Sequence, residues 1–466
     1  MSLSMSMSLS LRYYPVGNRL LPGIQALAPL SRRKSSVRPP AAAAAAAALN
    51  PQTERTPGTL KTIQELPVHG LFSTFYWYFV KGYHEKVHEL QLVQKMMFGP
   101  IWKSKFGPLT VVNVASADLI EQILRQEGKY PVRAYMPHWR EYRKLRGHAY
   151  GPLCEYGQEW HRMRSMLNPK MLKPKEVSNY SPAINEVVTD FVKKLHWLRE
   201  NHGGGVMVND MSSELYKFAF EAKKLVNKKI KEMNESVKKG CAVEGEYLTY
   251  LLTSTKMTPV DIYGSLCELL LAAVDTTSNT TSWILYNLAK EPSIQQQLYE
   301  EVNSVCPGDQ IPTAKDFASM PLLKAVAKET LRLYPVVPGN ARVIVEKEVV
   351  AGGYYFPKNT LFHLCHYAVS QEDSEFTQPR SFQPHRWLRG EGGEKKHHPF
   401  ASIPFGFGTR TCLGKRVAEL EMYSVISRLI KHFEVRPDPS GKVVTAKTRT
   451  LLCPAAPINL QFIDRK

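Results

Sequence analysis

Residues 258–290 read as one long helix, and that helix sets the terms for the rest of the fold. Thr258 is a good N-cap, Pro259 takes the first helical position where no N–H is needed, Asp261 supports the N-terminal end, and Pro292 follows the last turn. At 1.5 Å per residue the element is about 50 Å long, enough to cross a whole domain. Its middle, CELLLAAVDTTSNTTSW, begins apolar on most faces and therefore belongs in a core. Yet Asp275, Thr276 and Thr277 stand at its centre. Polar side chains there disrupt a buried helix unless they have partners or a role.

The other segments favour the same class. Most of residues 115–288 has helical patterning, as do 321–333 and a final helix at about 413–433, whose buried side is Val417, Leu420, Ile426, Leu429, Ile430 and Phe433. Residues 101–112 are strand-like with a turn at Gly107-Pro108, and 341–369 are strand-like with Gly and Pro turns. The expected fold is mainly α with a small β portion. Residues 71–80, LFSTFYWYFV, fit either a helix start packed on the core or an aromatic segment dipping into a membrane surface.

The formal charge of +19 suits nucleic acid, an anionic membrane or an acidic protein partner. No basic tract with interleaved aromatics, zinc-finger spacing or RNA-binding signature appears, so no nucleic-acid partner is expected. Seven cysteines, odd in number, scattered and without a C-x-x-C pair, argue against a disulfide framework and a structural zinc site. Residues 1–53 contain no acid but carry Arg12, Arg19, Arg32, Arg33, Lys34 and Arg38 among many serines, the pattern of a mitochondrial or plastid transit peptide. The division is therefore a transit peptide at 1–40, a low-complexity linker at 41–60 and a folded domain at 61–466. The alanine run at 41–48 is too short to span a membrane, and no run of 18 apolar residues occurs.

The strongest local signal is FGFGTRTCLG at 405–414. Gly406 and Gly408 permit a tight turn and close approach to a flat ligand. Cys412 stands just ahead of a helix N-terminus, whose free N–H groups stabilise a thiolate and lower its pKa. Arg410 can pair with a carboxylate. A dinucleotide fingerprint needs glycine where Thr411 stands, and a phosphate loop ending at Gly414-Lys415 needs glycine at Thr409 and a hydroxyl residue at Arg416. Glu329 and Arg332 share a helix face, and Arg386 in FQPHRW offers a second arginine for a buried cluster. Trp160 and Arg164 are one helical turn apart.

The combination of FGFGTRTCLG, ETLR at 329–332, FQPHRW, AAVDTT and W-x-x-x-R, in this order, resembles the cytochrome P-450 superfamily over about residues 60–466. KETLRLYPVVPGNARV, EGKYPVR and LGKRVAELEM are similar to its mitochondrial class, the sterol 26-hydroxylase and vitamin D hydroxylase group. The resemblance implies a haem (iron protoporphyrin IX) cofactor and a haem-thiolate monooxygenase. The reaction implied is hydroxylation of a sterol or secosteroid side chain, with O₂ and electrons from a ferredoxin. It implies Cys412 as the metal ligand, pushing electron density toward O–O cleavage. It also implies Asp275 and Thr276 as an acid–alcohol pair for proton delivery, with the polar centre of the long helix loosening its backbone. Trp160, Arg164, Arg342 and Arg410 would hold the haem propionates; Glu329, Arg332 and Arg386 would support the fold behind the cysteine loop. An acidic ferredoxin would dock near Lys324 and Lys328, with Lys415 and Arg416 extending the patch. The expected location is the matrix side of the mitochondrial inner membrane, with peripheral membrane contact.

Two departures stand out. Ala272-Ala273 replaces the family's Ala-Gly before the acid–alcohol pair. Only about 110 residues separate Arg164 from Thr276, fewer than the resemblance implies. The junction lies between Glu221 and Ala222, where the helices that roof the substrate pocket would be absent. A truncated, non-catalytic haem-binding isoform is thus the alternative. A haem-thiolate isomerase or lyase is a weaker one, because Asp275-Thr276 counts against it.

Overall fold

The computed structural model describes residues 60–106, 108–147, 149–219, 250–251, 256–388 and 397–465. The transit-peptide reading, nearly all of the linker and the junction at Glu221–Ala222 lie outside the described residues. The helices that position the site are α1 (Leu71–Phe75), α2 (Val87–Phe98), α3 (Ala117–Leu124), α4 (Pro137–Leu145), α5 (Gly157–Leu172), α6 (Ser181–His202), α7 (Pro259–Lys290), α8 (Pro292–Val305), α9 (Pro321–Leu333) and α10 (Lys415–His432).

The long helix α7 begins as its sequence dictates. Thr258 Oγ1 accepts from Asp261 N at 3.1 Å, and Thr258 N donates back to Asp261 Oδ2 at 3.0 Å, a closed capping box. Arg162 of α5 reaches the same carboxylate at 3.0 Å and ties the two helices together. The expected loosening at the polar centre is not observed, because α7 is unbroken. Six consecutive-turn side chains explain this: Thr276, Ser278, Asn279, Thr280, Thr281 and Ser282 each donate to the carbonyl four residues earlier. Their donors are satisfied within the helix, which lets residues 277–289 be buried. The larger core gathers around this half of α7, with Trp283, Ile284 and Leu288 packed among apolar residues of α6, α8, α9 and α10. The first half differs: Val260, Tyr263 and Leu271 are exposed along one stripe.

The β portion is centred on a five-stranded sheet. Its strands are β1 (Val68–His69), β2 (Ile101–Phe106), β3 (Leu109–Val114), β4 (Asn340–Val343) and β5 (Leu361–Leu364), in spatial order β1-β2-β3-β5-β4. The hairpin of β2 and β3 forms at the expected turn, with Ile101 opposite Val114. β4 is an edge strand, antiparallel to β5. A second core, with Ile120, Ile123, Val112, Phe362 and Leu364, joins α3 to this sheet.

Two boundaries differ from expectation. The strand-like stretch 341–369 ends in a short helix, His366–Ser370. Cys365 N closes the sheet by donating to Val114 O at 2.8 Å, after which the buried apolar run turns helical; a short apolar run alone cannot separate those states. At the C-terminal end, α10 stops at His432, and Phe433 opens a strand paired with Leu460–Asp464. Among the described residues, no helix is long and apolar enough to cross a membrane.

Candidate active site

Cys412 sits two residues after the short helical turn Gly408–Arg410 and three residues before α10. The turn is fixed locally: Cys412 N donates to Phe405 O at 2.8 Å, Thr411 Oγ1 donates to the same carbonyl at 3.2 Å, and Gly406 and Gly408 both take φ of +71°. Only glycine adopts that backbone region without strain. A Cβ on Gly406 or Gly414 would meet nothing within 4 Å, so the loop has free space beside it for a flat group. The expected lowering of the Cys412 pKa is not the net result. Burial pushes the thiol up, and the N–H of Gly414, the guanidiniums of Arg133 and Arg164 and the N–H of Lys415 only oppose it. The helix N-terminus acts in the predicted direction but is outweighed by desolvation.

Four arginines converge around this cysteine. Arg164, on α5, donates through Nη2 to Thr411 O at 3.0 Å and Thr409 O at 3.3 Å, strapping the cysteine turn to that helix. Arg410 lies 4.0 Å from the centre of the Trp160 ring and donates to the carbonyls of Pro131, Pro152 and Glu155. Arg133 donates to Arg410 O at 3.1 Å. Arg342, on β4, is ion-paired with Glu127. Burial lowers the pKa of Arg164 to about 10, helped by Arg133, and that of Arg410 to about 9, helped by Arg133 and Arg342.

The expected residues Trp160, Arg164, Arg342 and Arg410 are thus brought together. Arg133 was not singled out from sequence, although it ends the EGKYPVR segment. Nor was Glu127, which begins that segment and supplies the carboxylate for Arg342. Among the described residues, a single carboxylate stands among four guanidiniums and leaves three positive charges without a counter-ion, an arrangement that burial makes costly. Two propionates and one thiolate would balance it. The donor inventory agrees, because Trp160 Nε1 and Arg164 Nε are buried with no hydrogen-bond partner among the described residues. The residues present fit a haem.

Behind the loop, the buried cluster forms as its spacing suggested. Arg332 Nε and Nη2 donate to the two oxygens of Glu329 at 2.9 and 2.8 Å, and Arg386 Nε reaches Glu329 Oε1 at 3.2 Å. Trp387 Nε1 and Gln383 N add two more donors at 2.8 and 3.0 Å. The acid–alcohol pair lies on the half-buried middle turn of α7. Burial raises the Asp275 pKa, and Thr276 Oγ1 donates to Ala272 O at 2.7 Å. Thr277 is different from its neighbours: it is hydrogen-bonded across to Glu421 of α10, whose pKa burial pushes up to about 7. Glu421 was also missed. Nothing in the sequence set it apart from Glu419, two positions earlier on the same helix.

A cysteine loop inside a cationic cradle, backed by a buried Glu–Arg–Arg cluster, defines a haem-thiolate protein. The chain belongs to the cytochrome P450 family, whose profile matches residues 67–222 and 213–462; its cofactor is haem and its class is that of the monooxygenases. It is 39% identical to the mitochondrial sterol 26-hydroxylase of Rattus norvegicus, over 94% of this chain and 96% of that protein. Identity to the Homo sapiens sterol 26-hydroxylase is 41%, over 87% of this chain and 90% of that one. The human mitochondrial 25-hydroxyvitamin D-1 alpha hydroxylase is 38% identical, with coverage of 83% and 90%. The alignment to the rat protein runs over 512 positions, more than the 466 residues present here, so this chain skips positions that relative possesses. The family match divides at 213–222, where the sequence places the Glu221–Ala222 junction. The non-catalytic alternative finds no support in these relatives.

Proposed function

We propose that this protein hydroxylates a sterol or secosteroid on its side chain, taking RH, O₂, two electrons and two protons to ROH and water. The observation that carries the reading is the cationic cradle around Cys412, in a chain that aligns along most of its length with sterol and vitamin D hydroxylases. Cys412 would ligate the haem iron, and Trp160, Arg164, Arg342 and Arg410 would hold the propionates, with Arg133 completing the charge balance. Bound haem supplies oxygen activation. The chain's part is to hold the thiolate, neutralise the carboxylates and deliver protons. Asp275, whose pKa burial raises, can exchange a proton with solvent, and the Thr276 hydroxyl can pass one on by releasing Ala272 O. Electrons arrive from an acidic ferredoxin on the α9 face that carries Lys324 and Lys328.

The location proposed is the matrix side of the mitochondrial inner membrane, after removal of residues 1–40. The membrane contact is assigned to the 71–80 segment, in which only Thr74 is buried, while Phe72 is 90% and Phe79 64% exposed. Such a run favours a lipid surface over a packed helix start. The test is ferredoxin-supported turnover by the haem-loaded chain and by Thr276→Ala. The expected result is a side-chain alcohol from the first and diversion of electrons to hydrogen peroxide in the second. No oxidised sterol under any ferredoxin supply, or unchanged coupling in the variant, would contradict the reading.

A further inference from the structure

The segment between α4 and α5 is held from two sides. On one side stands Glu268 of α7, whose side chain is 1% exposed. Gly151 N donates to its Oε1 at 3.0 Å, and Leu153 N donates to its Oε2 at 2.7 Å. Arg143 of α4 pairs with Oε1 at 3.2 Å. The Cys154 thiol is hydrogen-bonded to the same carboxylate; burial, and then the Glu268 charge, pushes that thiol up to about 12, so it stays protonated. Four donors thus satisfy a carboxylate that burial would otherwise make costly. The fit is backbone against backbone. A Cβ on Gly151 would lie 2.7 Å from Gly264 O and 2.5 Å from Glu268 Oε2, and one on Gly264 would lie 2.9 Å from both Ala149 Cβ and Tyr150 O.

On the other side stands Arg410, 2% exposed. Its Nη1 donates to Pro152 O at 3.2 Å and its Nη2 to Glu155 O at 2.9 Å. The C=O of Pro152 and the N–H of Leu153 are the two ends of one peptide unit, which is trans and planar, so they point in opposite directions. Glu268 and Arg410 therefore grip a single peptide, the carboxylate at its N–H and the guanidinium at its C=O. Each charge polarises the group toward the other, which strengthens both bonds. A turn closes the same segment, because Cys154 N and Glu155 N donate to Gly151 O at 3.2 and 3.0 Å. The carbonyls that hold Arg410 cannot swing independently of the N–H groups that Glu268 holds. The anchor lies on α7 about two turns before Asp275.

We propose that Glu268 is a positioning residue for the haem: acting through the 152–153 peptide, it aims Arg410 at a propionate and sets part of the charge around the cofactor. The proposal rests on the reading of Arg410 as a propionate holder. The test is a double-mutant cycle on the haem-loaded full chain, with Glu268→Gln, Arg410→Lys and the two combined, read as the rate of ferric haem release to an excess of a scavenging protein. In the wild-type background Glu268→Gln should speed release about fivefold to tenfold, the scale of one charge-assisted hydrogen bond. Beside Arg410→Lys, whose single ammonium cannot span both carbonyls and the cofactor, it should add less than about twofold. The ferric–ferrous midpoint of Glu268→Gln should also become more positive, since a negative charge is lost beside the cradle. Arg143→Met removes another Glu268 contact but leaves the peptide gripped, and should release haem at the wild-type rate. Equal acceleration in both backgrounds would overturn the proposal, as would an unmoved midpoint or an Arg143→Met release as fast as that of Glu268→Gln. Should Glu268→Gln fail to hold haem, Glu268→Asp, which withdraws the carboxylate by one methylene, takes its place in the cycle, and the same coupling or additivity decides. An unchanged release rate in Arg410→Lys alone would remove the propionate reading, and this proposal with it.

Discussion

Glu329 is fully buried, and its carboxylate is tolerable only because five donors from Arg332, Gln383, Arg386 and Trp387 surround it. Removing its charge strands two guanidiniums in a dry site, which costs about 3–5 kcal/mol. Glu329→Ala should therefore shift the urea midpoint strongly, with haem loss following; a shift below about 1 kcal/mol would mean the cluster is dispensable. Glu421 gives a prediction in pH. Its folded pKa of about 7 lies above its ordinary value of 4.5, so the folded state holds the proton longer. Stability then falls as pH rises between those values, and the penalty is absent below them. Glu421→Gln should raise the melting temperature relative to wild type at pH 8 and leave it unchanged near pH 4. Equal effects at both values would show that the carboxyl does not titrate with folding. The first of these residues was legible from the i, i+3 spacing and FQPHRW. The second was not, because its partner Thr277 lies more than a hundred positions away and only folding brings them together.

At the scale of elements, local chemistry was a good guide where caps and prolines mark the ends. The helices α7 and α9 begin and end almost where Thr258, Pro259, Pro292 and Pro321 place them. It was a poor guide where tertiary contacts decide. The short helix at 366–370 follows from the sheet closing at Cys365, and the continuity of α7 follows from back-bonding hydroxyls that composition alone reads as a disruption. The exposed face of α9 is the element most open to a direct test. Lys328 is exposed and lies 5.7 Å from the Trp387 ring centre, while Lys324 is half-buried and donates to Ala318 O at 3.1 Å. Lys324→Glu with Lys328→Glu should slow ferredoxin-driven reduction, and added salt should slow the wild type in the same way, since exposed charge pairs are screened. A reduction rate independent of salt would place the docking surface elsewhere.

For the whole molecule, the described residues around Cys412 and Glu329 are closely packed, while the middle of α7 presents an exposed stripe. Leu271, Ala272 and Ala273 are exposed in the middle of α7, and Val260 and Tyr263 extend the stripe. A sterol gains affinity from apolar contact at about 25 cal/mol per Å² buried, and water admitted to an oxygen site favours uncoupling. A roof segment from a relative inserted after Glu221 should raise sterol affinity and lower peroxide release; no change in either would show the skipped positions to be unnecessary. The fold class and the cysteine loop were readable because their signals are local, whereas the charge balance among Arg133, Arg164, Arg342, Arg410 and Glu127 needed the fold to assemble it. That balance converges on one atom, the Cys412 sulfur, and the most direct measurement is the absorption spectrum of the reduced protein under carbon monoxide. The wild type should show the red-shifted Soret band of a thiolate-ligated haem and Cys412→Ser should lose it; a band that survives the substitution would contradict the account.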